Sequence, residues 1–505
     1  MKTPILLAAG TLFLLAFAQV QATPVAQKTQ SVPAEVLVAG TDEYAVLVAP
    51  DYKKDAVAMR AIKRFAKHHN ATKNIYVWDD SPALLKKLKK QQPRYIAVIA
   101  PPQDLNRVSL QKLNQLSRKI DPAEDAHIDA ILGVLTADSV ENLEQVLKPF
   151  PRIELTRAIG TTNFETERFD QAFIMLDWGG TQKYYTRKNG KTELKELPNP
   201  EIAIDIFCDE YNAINPQYFL SASHATEFNL EMPFSHGMIV PAKGKFWALP
   251  KNEMTKFPLG GFVPAKHKRF VPAQDPKIWI AAGNCFIGDA YGNANSMVVT
   301  ALSHYGYRQF VGYTVPSWFG RGWEIHSHFF SGTPAMQVGQ AWLFCMENTL
   351  QNLPETLQKT EVPLQAQGMA GIDVRALAGT VAAAGSRPDK ALIGNLHDRD
   401  TIAFYGDPIC PVSFKRKPTT IELTANGRSR ELTIKPAAGT EKAPIAYWFP
   451  ERANAEGTLE ITRVLISGTE QKITPEIIFT ENFVILKNEY DFGNDSALKI
   501  KWQTK

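Results

Sequence analysis

Ile278-Trp-Ile-Ala-Ala-Gly-Asn-Cys285 is an apolar run that ends in small residues and then a cysteine. Earlier in the chain, Gln217-Tyr-Phe-Leu-Ser-Ala-Ser-His224 has the same form and ends in a histidine. Neither run shows the polar alternation of a half-exposed strand, so both read as fully buried strands. Two buried strands, each delivering a reactive side chain at its carboxyl end, describe a parallel sheet with its chemistry at that edge. A thiol is a good nucleophile when a neighbouring imidazole takes its proton. Cys285 is therefore the candidate nucleophile and His224 the candidate base. Gly283 and Gly288 flank the cysteine and permit close approach of a substrate backbone. Backbone N–H groups of such a turn suit an oxyanion. The competing reading of Cys285 is a buried structural thiol, and that of His224 a satisfied loop histidine. His236 is a rival base, but it follows Pro233-Phe-Ser235 rather than a clear strand.

The flanking sequence supports a parallel sheet. Tyr44–Ala49, Asn74–Trp78, Tyr95–Ala100 and Ala130–Leu135 read as strands. The segments Asp55–His69, Ser81–Lys90, Ser109–Ile120 and Ser139–Leu147 read as the helices between them. Further on, Trp178-Gly-Gly180 predicts a turn within a hairpin, and Met238–Leu249 a second hairpin around Ala242-Lys-Gly244. Helices are expected over Glu201–Tyr211, Ser296–Tyr305 and Pro334–Leu350, and a strand over Arg308–Tyr313. Past Pro411 the texture becomes short alternating strands, which predicts a small all-β sandwich. The expected organisation is an N-terminal α/β subdomain over 41–160, a second over 161–410, and the sandwich over 411–505.

Composition sets the outer bounds. The chain has 505 residues, 44% hydrophobic and 21% charged, which suits two or three ordinary globular domains. The formal charge of +4 is spread along the chain, without a basic stripe or nucleic-acid motif, so nucleic acid is not an expected partner. Lys2, the apolar Ile5–Ala18 and the small-x-small triplet Val20-Gln-Ala22 read as a cleavable secretory signal over 1–22. A Pro/Ala/Gln-rich linker over 23–40 follows. The mature chain is expected to be secreted or periplasmic, with no membrane span. Four cysteines, Cys208, Cys285, Cys345 and Cys410, are widely spaced and form no C-x-x-C, so zinc-finger and redox motifs are unsupported. A disulfide from Cys208 to Cys345 or Cys410 stays open at this level.

The two blocks ending in His224 and Cys285 resemble the caspase-like cysteine peptidases, the gingipain branch in particular. That family usually has glycine after the histidine and alanine before the cysteine. Here Ala225 and Asn284 stand at those places. Ser296–Gly306 followed by Arg308–Tyr313 is similar to the family's post-cysteine helix and next core strand. Ser317-Trp318 resembles a pair lining the primary specificity pocket, and Asp125 to Val134, with Asp129, resembles the stretch carrying the pocket acid. Tyr405-Gly-Asp-Pro408 resembles the end of such catalytic domains, after which an immunoglobulin-like domain is common.

The resemblance implies a caspase-like α/β fold and acyl transfer from a peptide substrate to Cys285, with His224 shuttling the proton. It implies an acid orienting the histidine, for which Glu227, Asp209 and Glu210 are candidates. It implies substrate binding by Ser317, Trp318, Asp125 and Asp129, where an aspartate beneath Trp318 would favour a basic P1 side chain. Calcium is implied only as a structural ion; the chemistry itself needs no cofactor. Two other readings compete. One is an inactive relative that binds peptide or a surface partner, motivated by Ala225 and Asn284. The other is a metal hydrolase using His224, Glu227, His326 and His328.

Overall fold

The computed structural model describes residues 28–30, 42–79, 81–121, 125–150, 152–176, 183–256, 267–360, 362 and 373–505. The signal segment 1–22, most of the linker and the Trp178–Gly180 turn lie outside them.

A twelve-stranded sheet runs through the α/β part. In chain order its strands are β1 (Tyr44–Val48), β2 (Ile75–Val77), β3 (Tyr95–Ile99), β4 (Ile131–Leu135), β5 (Arg157–Gly160), β6 (Gln171–Met175), β7 (Lys183–Lys188), β8 (Lys191–Glu196), β9 (Tyr218–Ser221), β10 (Lys277–Ala281), β11 (Tyr307–Tyr313) and β12 (Ile402–Gly406). Their order across the sheet is β8-β7-β6-β5-β9-β10-β11-β12-β4-β3-β1-β2. Strands β6, β5, β9, β10 and β11 are parallel to one another, and so are β12, β4, β3, β1 and β2. The two sets meet at an antiparallel seam, where Tyr313 of β11 faces Ile402 of β12 and Gln309 faces Gly406. One hydrophobic core crosses that seam, so the halves expected at 41–160 and 161–410 share a sheet and its interior. Every residue of β1, β3, β4, β9, β10, β11 and β12 is buried, as expected of central strands covered on both faces.

Helices cover the sheet where their apolar periodicity predicts. Asp55 caps the helix Ala56–His68 through its carboxylate on the N–H groups of Val57 and Ala58. Ser81, Asn106, Ser139 and Ser296 cap the helices that follow them in the same manner. Among the described residues no helix is long and apolar enough to cross a membrane.

The C-terminal part forms separate antiparallel sheets around their own core, which includes Leu432, Phe449, Leu498 and Trp502. The strands Ala446–Trp448 and Phe483–Leu486 serve two cores by alternation. Tyr447 and Val484 point into this core, whereas Trp448, Phe483 and Ile485 pack on the α/β body. Lys28–Gln30, expected to be linker, is instead a strand pairing with Thr419–Asn426 at the edge of the six-stranded sheet.

Candidate active site

Strands β9 and β10 are parallel neighbours in register, Tyr218 facing Ile278 and Ser221 facing Ala281. Both chains leave the sheet at the same edge, one toward His224 and the other toward Cys285. Gly283 lies between them: a β-carbon there would sit 3.5 Å from that of Ala222 and 3.5 Å from Nε1 of Trp323, ordinary contact distances, so space alone does not demand glycine. Past Cys285 the chain folds back across the sheet, with Phe286 N–H on Val315 O at 3.1 Å and Gly288 N–H on Tyr313 O at 2.9 Å. That reversal puts Phe286 in the left-handed region, at φ 59°. It also aligns Cys285 with Ser317, whose N–H donates to Sγ at 3.3 Å.

The thiol is half-buried, whereas Cys208, Cys345 and Cys410 are buried; all four are free. Burial pushes the Cys285 thiol above its ordinary pKa, and the N–H groups of Ser317 and of Cys285 itself act the other way. His224 is exposed. Among the described contacts its imidazole makes no hydrogen bond with Sγ of Cys285 or with Glu227. Its backbone carbonyl accepts from Glu231 N–H at 2.9 Å, which starts the hairpin Ala225–Thr226 with Asn229–Glu231. Glu227 sits at the turn of that hairpin. Its carbonyl accepts from Met297 N–H at 2.8 Å, and its carboxylate lies close enough to raise Asp289.

Behind Cys285 stands a buried ion pair that sequence reading missed. Asp289 accepts from Nε of Arg107 at 3.2 Å, and the guanidinium lies over the Phe286 ring. Burial lifts the Asp289 carboxyl to about 6 despite that partner and the Tyr291 N–H. Only their types hint at the pair; 182 positions separate them.

The structure brings Ser317 to the thiol, with Trp318 next in chain. Trp318 packs edge-on against His397, ring centroids 6.2 Å apart, and His397 Nε2–H donates to Pro316 O at 3.0 Å. The described contacts thus give Trp318 a histidine neighbour in place of the expected aspartates. Asp129 instead closes a turn, its carboxylate accepting from the N–H groups of Ile120 and Asp121 at 2.8 and 2.9 Å. Asp125 accepts from His127 N–H at 2.8 Å. Both line a cleft of about 520 Å³ against Arg452, Glu481 and Asn482 of the C-terminal part.

The remaining candidates have other duties. Asp209 pairs with Lys268 at 2.5 Å and Glu210 with Lys188 at 3.3 Å, both away from His224. His236 is largely buried beside Phe234. His326 and His328 share the helix Gly322–Ser331 but face different partners, Tyr218 Oη at 2.7 Å and Asn348 Nδ2 at 3.1 Å. Burial lowers them to about 3 and about 4. No group of three or more His, Cys, Asp or Glu side chains arranged to hold a metal ion occurs among the described residues, so no set is assigned to calcium or zinc. No protein-family model and no curated protein matches the chain.

Proposed function

We propose that the protein is an exported cysteine peptidase of caspase-like fold. One observation carries the reading: a half-buried thiol and a histidine leave adjacent parallel strands at one sheet edge, with a backbone N–H already on the sulfur. In the proposed cycle His224 removes the Sγ proton of Cys285, and the sulfur attacks a peptide carbonyl carbon. The C–N bond breaks, and the amine leaves with the proton from the imidazolium. Water, deprotonated by His224, then cleaves the thioester and restores the thiol. The N–H of Cys285 and one near Ala225 are the oxyanion donors of this reading. Ser317 and Trp318 flank the scissile residue.

A second reading has two observations in its favour. His224 and Cys285 share no hydrogen bond among the described contacts, and burial raises the thiol. A protein of this fold can bind peptide without cleaving it. Labelling with peptidyl acyloxymethyl ketones of varied P1 residue separates the two. The expected result is an adduct on Cys285 that is lost in Cys285→Ala and strongly slowed in His224→Ala. A folded protein that ignores the whole set would favour the binding reading.

A further inference from the structure

Asn284 is fully buried and stands immediately before the nucleophile. Its side chain is bonded on both sides. Nδ2 donates to Ser223 O at 2.6 Å, and Oδ1 accepts from Ser221 Oγ at 2.6 Å. Ser221 Oγ in turn accepts from Trp279 Nε1–H at 2.8 Å. Every direction in this chain is forced. The Ser223 carbonyl can only accept, so the amide NH₂ must face it and Oδ1 must face Ser221. The indole can only donate, so the Ser221 hydroxyl proton is left to point at Asn284. Ser223 continues the line, its hydroxyl donating to Glu231 O, while Glu231 N–H holds the carbonyl of His224. The amide thus ties the residue before His224 to the residue before Cys285.

We propose that Asn284 is a positioning residue that fixes the His224 loop against the Cys285 loop, through a buried relay from Trp279 to the histidine's own backbone. The proposal rests on the Cys285–His224 reading. Ser221 is buried and Ser223 partly so, and alanine at 284 would leave Ser221 Oγ and the Ser223 carbonyl without the amide. The His224 loop would lose its only side-chain tie to the cysteine loop among the described bonds. Displacement of a base by about 1 Å costs on the order of 100-fold in rate. Aspartate at 284 would do worse, because its carboxylate would face a carbonyl oxygen in a buried site.

The test is the rate of Cys285 alkylation by iodoacetamide, followed by mass spectrometry from about pH 5 to about pH 10. The full-length protein is compared with Asn284→Ala, Asn284→Ser, His224→Ala and the double variant Asn284→Ala/His224→Ala. The expected result for Asn284→Ala is a fall on the order of 100-fold near neutral pH. At the alkaline end, where the thiol ionises without help, its rate should equal wild type. Asn284→Ser should recover part of the loss, and the double variant should be no slower than His224→Ala. An equal loss at every pH, or a double variant showing both losses, would overturn the proposal. If His224→Ala itself keeps the wild-type profile, the dyad reading fails; if it shifts and Asn284→Ala does not, only the role of Asn284 fails.

Discussion

At the scale of single residues, the site works against its own burial. The Cys285 thiol is held partly out of water, which favours its neutral form. Two backbone N–H groups on the sulfur favour the thiolate but do not outweigh burial. Asp129 shows the same contest with the same outcome. Burial raises its carboxyl to about 7, although the N–H groups of Asp121 and Ile120 oppose this. The unfolded value is near 4, so folding favours the protonated acid. Stability from this group is intact below about pH 4, declines through the window from about 4 to about 7, and stays reduced above it. An asparagine side chain there would keep the acceptor oxygen and lose the titration. Asp129→Asn should therefore gain in Tm relative to wild type as pH rises from about 4 to about 7, and hold that gain above. A flat Tm difference across the series would show that Asp129 ionises freely.

At the scale of elements, the segment after Cys285 is held by the first residue of the helix Arg107–Leu116. The Arg107–Asp289 pair is inaccessible to solvent at both ends, 1% and 0% exposed. Removing one member of such a pair leaves a buried charge and costs about 3–5 kcal/mol. Arg107→Met should lower the unfolding free energy by that order. Arg107→Met/Asp289→Leu should recover much of it, as read by urea unfolding. If the double variant is as unstable as the single, the pair's worth lies in packing and not in charge.

These elements differ in how well the sequence announces them. Strands β9 and β10 are legible because a strand buried on both faces must be apolar throughout. Arg157–Gly160 escapes notice, because four residues beginning with arginine give no such run. The helix carrying His326 and His328 is hidden by its polar mixture, Trp-Glu-Ile-His-Ser-His. The neighbours of Asp129 and Trp318 are legible only in three dimensions: Asn482 donates to Asp129 O from 353 positions away. Ser317 of the Ser-Trp pair does reach the thiol through its N–H, a contact that follows from the buried strand Tyr307–Tyr313 before it.

At the scale of the molecule, the C-terminal sheets are fastened to the α/β body by a shared core and by polar ties, several of which meet at one arginine. Buried Arg94 donates from Nε to Asn482 Oδ1 at 3.0 Å and from Nη2 to Phe449 O at 2.5 Å. It lies over the Trp448 ring at 4.7 Å, and Trp448 Nε1–H donates to Tyr95 Oη at 2.7 Å. Because β-strand alternation commits one face of Ala446–Trp448 to each core, the two parts should melt together. Calorimetry of the full chain should show a single transition. Arg94→Ala should lower it and split it into two, and one unsplit transition in the variant would mean that the apolar contacts suffice.

The antiparallel seam between β11 and β12 gives one continuous sheet two mouths. The carboxyl ends of β9 and β10 open on one rim, where Cys285 stands. Those of β1, β2 and β3 open on the other, where a cleft of about 730 Å³ is lined by Asp51, Trp78, Asp79 and Asp104. The chain is therefore Janus-like along the strand direction. A dye, a bead or a bulky fusion attached at exposed Asp79 would sit at the back door and leave the thiol's rim open.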